Sequence, residues 1–67
     1  ETTMETHVFI VYVLHRADFD KQLACAAYKT REEAERLGTI LRDECRDAEA
    51  PEWRDSIVAE IHAIPFA

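Results

Sequence analysis

An uninterrupted apolar run near the N-terminus, residues 7–15 with the sequence HVFIVYVLH, constrains the fold more than any other feature. The run is dense in β-branched and aromatic residues and is too short to cross a bilayer as a helix. It predicts a strand that is buried on both faces and therefore lies in the middle of a sheet. Strand alternation places Val8, Ile10, Tyr12 and Leu14 on one face and Phe9, Val11 and Val13 on the other.

A helix start follows in residues 30–37, TREEAERL. Thr30 is the expected N-cap, and Glu33 stands three positions later, which is the spacing of a capping box. The apolar positions that follow recur at helical spacing, and the helix should end near Asp47. Gly38 lies inside the apolar stripe and indicates a close approach of the helix to the sheet. The stripe consists of Ala34, Leu37, Gly38, Leu41, Cys45 and Ala48.

Two further segments complete the predicted fold. Residues 23–29, LACAAYK, are assigned to a strand because they are too short for a good helix and directly precede the helix start. Residues 55–66, DSIVAEIHAIPF, alternate as a half-buried strand and should end at Pro65. The order β-β-α-β predicts an α+β fold: a three-stranded antiparallel sheet in the order 2-1-3, with one main helix on one face. Residues 1–67 are interpreted as a single domain, with a flexible N-terminal arm over residues 1–6.

One helix covers only one face of such a sheet. The other face should therefore expose an apolar patch that serves self-association or a partner. The alternative is that Phe19, Trp53, Phe66 and the N-terminal arm fold over this face. The sequence leaves both interpretations open.

The sequence contains no pattern that is typical of catalysis or metal binding. A phosphate-binding Gly loop, a nucleophile elbow and a His-x-x-x-His pair are all absent from it. Cys25 and Cys45 form neither a disulfide framework nor a zinc motif, and we expect two buried free thiols. Glu60 and His62 share one strand face, where they can hydrogen-bond as a surface pair. We therefore expect no enzyme, no cofactor and no metal site.

The charge of the chain is unevenly distributed. Residues 1–31 hold four acids and four bases, whereas residues 32–67 hold ten acids and four bases, so the second part carries the whole net charge of −6. Such a surface repels nucleic acid and anionic membranes, and it favours a basic protein partner. The sequence has no membrane-length apolar run and no signal-peptide layout, which indicates the cytoplasm.

The acids are most concentrated between residues 43 and 55, where six acids accompany two arginines. Asp43 and Asp47 are like charges one turn apart near the helix C-terminus, where the helix dipole also opposes them. A solvated polar face is the ordinary interpretation of such a run. The functional interpretation is a row of carboxylates, near phosphate spacing, that occupies a basic groove built for nucleic acid. The candidate partner-binding residues are Asp43, Glu44, Asp47, Glu49, Glu52, Trp53 and Asp55, with Trp53 either a lid on the core or an apolar anchor.

The layout VYVL…AAYKTREEAERL…IVAEIHAI resembles the small β-β-α-β domains of uncharacterised bacterial and phage proteins, in which a strand with an aromatic end leads into a T-x-E-E-A helix. In size, acidity and lack of catalytic residues the chain is similar to phage-encoded anti-CRISPR proteins, several of which are compact acidic domains that mimic DNA. This resemblance implies a non-enzymatic inhibitor that blocks the target-DNA site of a Cas effector subunit, with type I favoured, in an infected or lysogenic bacterial host. The alternative is a small homodimeric interaction or regulatory module that pairs through its open sheet face.

Overall fold

The structure, a computed structural model, describes residues 6–66, and it describes side chains from residue 7 to residue 65. The sheet order is β2-β1-β3, and β1 pairs antiparallel with both neighbours. The predicted α+β class, the β-β-α-β order and the strand order are confirmed. The elements are β1 (Thr6–His15), β2 (Lys21–Tyr28), α1 (Arg31–Asp47) and β3 (Ile57–Phe66), with 3-10 turns at Arg16–Asp18 and Pro51–Ser56.

The boundaries of the strands differ from the prediction in three places. Thr6, which was assigned to the arm, begins β1, and the remainder of the predicted arm, residues 1–5, lies outside the described residues. β2 begins at Lys21, two residues earlier than expected. Pro65 does not end β3, which continues to Phe66. Because β3 is an edge strand, a proline there need not remove a hydrogen bond of the ladder.

The start of α1 is fixed by the predicted cap. Thr30 has an extended backbone, and its side-chain Oγ1 accepts a hydrogen bond from the N–H of Glu33 at 3.1 Å. A cap of this kind stabilises a helix by about 1 kcal/mol. Asp47 is the last residue of α1, as the apolar spacing predicts.

The core lies between α1 and the sheet. Val11 and Val13 of β1 point toward the helix and are fully buried, together with Ala34 and Ile57. Gly38 approaches the sheet closely: a Cβ at this position would lie 3.1 and 3.2 Å from the two γ-methyl carbons of Val11. The close packing of helix against sheet that Gly38 predicts is therefore confirmed.

The opposite side of the sheet, which we call the open face, is not covered by α1. Side chains along β1 on this face are half-buried rather than buried, so the predicted burial of β1 on both faces is wrong. Phe19 does not cover the open face, because its side chain is 99% exposed. Trp53 lies beside His15, whose side chain is on the helix-covered side. The side chain of Phe66 and the rest of the arm lie outside the described residues. The apolar side chains of the open face are Val8, Ile10, Tyr12, Leu14, Cys25, Ala27, Val58 and Ile64.

The two cysteines are free thiols in different surroundings. Cys25 is exposed on the open face, opposite Tyr12, so its expected burial is wrong. Cys45 is half-buried and packs against the core from α1. Strand alternation explains the difference, since Ala24 and Ala26 take the core-facing positions on either side of Cys25.

Candidate functional site

Two arginine side chains join the C-terminal end of α1 to the segment that follows it. Arg46 donates a hydrogen bond from Nε to the carbonyl oxygen of Ile57 at 2.9 Å. Arg54 donates from Nε to the carbonyl oxygens of Arg46 and Glu49, at 2.9 and 3.1 Å. A guanidinium group at this position also offsets the negative end of the helix dipole. Both arginines between residues 43 and 55 therefore bind backbone carbonyls, and the structure records no ion pair between either of them and a described acid.

The six acids of the same segment, which we call the acidic surface, differ in how they are paired. Asp43 accepts from Nη2 of Arg42 at 3.1 Å. Glu49 is half-buried and contacts His15. The other four acids are exposed, and none forms an ion pair with another described residue. These four are Glu44, Asp47, Glu52 and Asp55.

All seven predicted partner-binding residues lie at one end of the molecule. Asp43 and Asp47 are one turn apart and exposed on α1, away from its buried stripe. Glu44 is exposed on the neighbouring side of the same helix. Glu52 and Asp55 are exposed on the 3-10 turn that the Arg54 side chain holds against the helix end. The last turns of α1 and the following turn therefore share one acidic end.

The carboxylate of Glu49 contacts one side chain and one backbone N–H group. Its Oε2 lies 2.9 Å from Nε2 of His15, and its Oε1 accepts from the N–H of Ala50 at 2.9 Å. Because an ionised carboxylate only accepts, Nε2 of His15 is the donor. His15 is 8% exposed, and its Nδ1 is buried without a hydrogen-bond partner among the described residues.

Trp53 packs beside a buried residue and is also partly exposed. Its ring centroid lies 6.4 Å from that of His15, so it covers part of this buried residue. It is nevertheless 47% exposed and offers apolar surface in the acidic end of the molecule. His15 and Trp53, together with Ala17, Asp18 and Glu49, line a shallow cleft of about 310 Å³.

His15 and Asp18 are cleft residues that sequence reasoning missed. A signal for His15 was present, since it continues the alternation of Val11 and Val13 toward the helix-covered side. No periodicity marks Asp18, which lies on the 3-10 turn after β1.

A second polar cluster lies on the open face. The predicted hydrogen bond between Glu60 and His62 is confirmed, with Oε1 and Nε2 3.2 Å apart. Arg16 donates to the other carboxylate oxygen of Glu60. The rings of Tyr12 and His62 pack edge to face, with their centroids 5.2 Å apart. These contacts form a surface network beside the apolar side chains, and no nucleophile is part of it.

Among the described residues, the thiol of Cys45 has a shifted pKa. Burial, and secondly the carboxylate of Glu44, raise the pKa of the Cys45 thiol, so this group is a weak nucleophile at neutral pH. Within residues 6–66, no group of three or more His, Cys, Asp and Glu side chains is arranged to hold a metal ion. In the same part of the chain, no helix has the length and hydrophobicity of a membrane span.

Comparison of the chain with protein-family models, with curated proteins and with solved structures finds no match.

Proposed function

We propose that this protein is a non-enzymatic inhibitor whose acidic surface occupies the nucleic-acid-binding site of a basic protein. In its specific form, the proposal is an anti-CRISPR protein that blocks target-DNA binding by a Cas effector subunit, with type I favoured, in the cytoplasm of a bacterial host. The proposal rests on how the charged side chains at the end of α1 are paired. Four carboxylates face solvent without an ion pair to a described residue, while both arginines of the segment bind carbonyl oxygens.

The physical argument is electrostatic complementarity. A protein groove that holds nucleic acid is lined by Lys and Arg, which an acidic surface of matching spacing also attracts. Acids one helical turn apart have Cβ atoms about 5–6 Å from each other, a separation comparable with that of neighbouring phosphates. Asp43 and Asp47 have this relation on α1. The affinity of such a surface for a basic groove decreases as the salt concentration rises.

The proposal is tested by comparing two pairs of neutralised acids on the same helix. The test variant combines Glu44→Gln with Asp47→Asn, and the control combines Glu32→Gln with Glu35→Gln at the other end of α1. The measurement is inhibition of target-DNA binding by purified type I Cas effector complexes, read by electrophoretic mobility shift. We expect the test variant to inhibit roughly tenfold more weakly and the control to inhibit like the natural sequence. Equal inhibition by both variants would exclude the acidic surface.

Affinity capture from a bacterial lysate tests the class of partner independently. At about 50 mM salt we expect the protein to retain a basic nucleic-acid-binding protein, and to release it at about 500 mM salt. A partner that is retained equally at both salt concentrations, together with no inhibition of any tested effector, contradicts the proposal.

A second candidate function, a homodimeric interaction or regulatory module, is favoured by the apolar open face. With strands of ten residues in β1 and β3, the face is about 33 Å long and about 14 Å wide, a planar area of about 450 Å². Two copies packed face to face then remove about 900 Å² of planar area, close to the lower limit of a specific interface. We infer a weak dimer, formed in the micromolar range or above.

The dimer is tested with two exposed isoleucines. Ile64 is 44% exposed on the open face, whereas Ile40 is 50% exposed on α1. We expect Ile64→Lys to abolish dimerisation and Ile40→Lys to leave it unchanged. Light scattering at protein concentrations from about 10 µM to about 1 mM measures the oligomeric state. A monomer throughout this range excludes the second candidate.

A further inference from the structure

We propose that the cleft lined by His15, Ala17, Asp18, Glu49 and Trp53 binds an arginine side chain of the protein partner. This inference rests on the basic partner of the proposed function and names the group that makes the central contact. Five features of the cleft support it: its aromatic wall, its free acceptor sites, its position relative to existing cations, its buried histidine and its size.

The aromatic wall is Trp53. This side chain is 47% exposed although it already contacts His15 on one side. Indole is the aromatic ring that attracts a cation best, and the planar guanidinium group of arginine also stacks on it. An exposed indole beside carboxylates therefore favours a planar cation over an apolar ligand.

The acceptors are the carboxylates of Asp18 and Glu49. Asp18 is exposed and forms no ion pair with another described residue. Each oxygen of Glu49 has one recorded partner, His15 or the N–H of Ala50. A carboxylate has about four acceptor sites, so Glu49 can accept further hydrogen bonds. A guanidinium group has five N–H donors in one plane, so it can bond to both carboxylates at the same time.

The two arginines next to the cleft do not pair with its carboxylates. Arg54 donates to the carbonyl oxygens of Arg46 and Glu49 and forms no ion pair with a described acid. Arg16 lies beside the cleft in sequence, but its side chain pairs with Glu60 and lies 3.9 Å from Asp20. Both of these acids lie outside the lining of the cleft. The two lining carboxylates therefore keep their attraction for a positive charge that comes from outside the chain.

The buried histidine is an independent observation. His15 lines the cleft, its side chain is nine-tenths buried, and its Nδ1 has no hydrogen-bond partner among the described residues. In the neutral imidazole, donation by Nε2 to Glu49 makes Nδ1 an acceptor. A buried acceptor without a donor costs free energy, so a donor group that enters beside the imidazole is favoured.

The size and charge of the cleft exclude other ligand classes. Its volume of about 310 Å³ fits a side chain and exceeds the space that a single ion fills. Anionic ligands are repelled by the two carboxylates. A lysine ammonium satisfies the charge but cannot stack as a plane on the indole, so arginine is preferred.

Trp53 is the one tryptophan of the chain, so its fluorescence reports directly on the cleft. The probe is a capped hexa-arginine peptide, compared with capped hexa-lysine, and calorimetry measures total binding in parallel. We expect hexa-arginine to change the Trp53 emission, and hexa-lysine to change it less at equal saturation. Asp18→Asn should weaken hexa-arginine binding about fivefold, whereas the control Glu32→Gln, an exposed acid at the N-terminal end of α1, should weaken it less than about twofold.

Several results would overturn the cleft assignment. These are no binding of hexa-arginine, binding without a change in Trp53 emission, equal effects of the two substitutions, and equal emission changes with both peptides. Loss of the cleft assignment leaves the proposed function standing if neutralisation of Glu44 and Asp47 still reduces inhibition. Conversely, a cleft that binds hexa-arginine in a protein that inhibits no DNA binding supports the arginine site and rejects the proposed function.

Discussion

The two faces of the sheet are built from similar side chains and differ in what covers them. On the helix-covered side, Val11, Val13 and Ile57 are fully buried, whereas on the open face Ile10 is half-buried and Ile64 is 44% exposed. β1 carries apolar side chains on both faces, so the difference in burial arises from the position of α1. A strand that is apolar on both faces therefore does not indicate that the chain itself covers both.

The largest predicted effect separates two isoleucines of β3. Ile57→Ala should lower the free energy of unfolding by about 2–5 kcal/mol, because it leaves a cavity in the core. Ile64→Ala should cost less than about 1 kcal/mol, because its side chain is largely in water. Urea denaturation of dilute protein, followed by circular dichroism, measures both.

A control keeps this comparison measurable. A domain of this length has a total stability of about 3–10 kcal/mol, so the larger change can abolish folding. Ile57→Val should cost about 0.5–1.5 kcal/mol and keep the fold. Equal losses for Ile57→Ala and Ile64→Ala in dilute protein would contradict the difference between the faces.

An intermediate effect is expected where α1 approaches the covered face. Gly38→Ala gains about 1 kcal/mol of helix propensity but places a methyl group against the fully buried Val11 at a cost of about 1–3 kcal/mol. We expect a net loss of about 1 kcal/mol in the free energy of unfolding. The double variant with Val11→Ala should be more stable than the sum of the single changes indicates. A Gly38→Ala protein that is more stable than the natural sequence would show that Val11 can move.

The last predicted effect involves no change in stability and compares the reactivity of the two thiols. Alkylation of Cys45 should be about tenfold slower than that of Cys25 near pH 8, because its pKa is raised and its sulfur is half-buried. A raised pKa means that the Cys45 thiolate, and with it the alkylation rate, appears at higher pH than for an ordinary thiol. Mass spectrometry of iodoacetamide-treated protein measures both rates.

Two controls sharpen the thiol comparison. Glu44→Gln removes a negative neighbour of Cys45, so its alkylation profile should shift to lower pH. If the open face pairs two copies, Cys25 alone should become slower as the protein concentration rises. Faster alkylation of Cys45 than of Cys25 would contradict the assignment of the two surroundings.

Local signals in the sequence were sufficient for most of the fold. Strand alternation and the central place of β1 predicted the sheet order, and Thr30 with Glu33 predicted the start of α1. Pro65 was misread although the predicted order 2-1-3 already makes β3 an edge strand, where a proline is tolerated. The sequence left open whether Phe19 covers the open face; its backbone, with φ of 57°, belongs to a tight turn and its side chain is 99% exposed.

The candidate site was only partly predictable. Six of the seven candidate partner-binding residues, all except Trp53, were chosen for their charge, which is a property of the sequence, and their role in binding stays a prediction. The contact of His15 with Glu49 joins the end of β1 to the segment after α1, and no local period encodes such a long-range pair. The sequence also does not reveal that Arg46, in a segment rich in acids, donates to the carbonyl oxygen of Ile57.

The arginine bonds to backbone carbonyls have a consequence for recognition. Arg46 and Arg54 hold the turn that carries Glu52 and Asp55 in place before any partner arrives. Ordering a loop at the moment of binding costs conformational entropy that a preorganised loop has already lost on folding. For the proposed basic partner, association should therefore proceed as docking onto a preformed surface rather than as folding of a loop onto the partner.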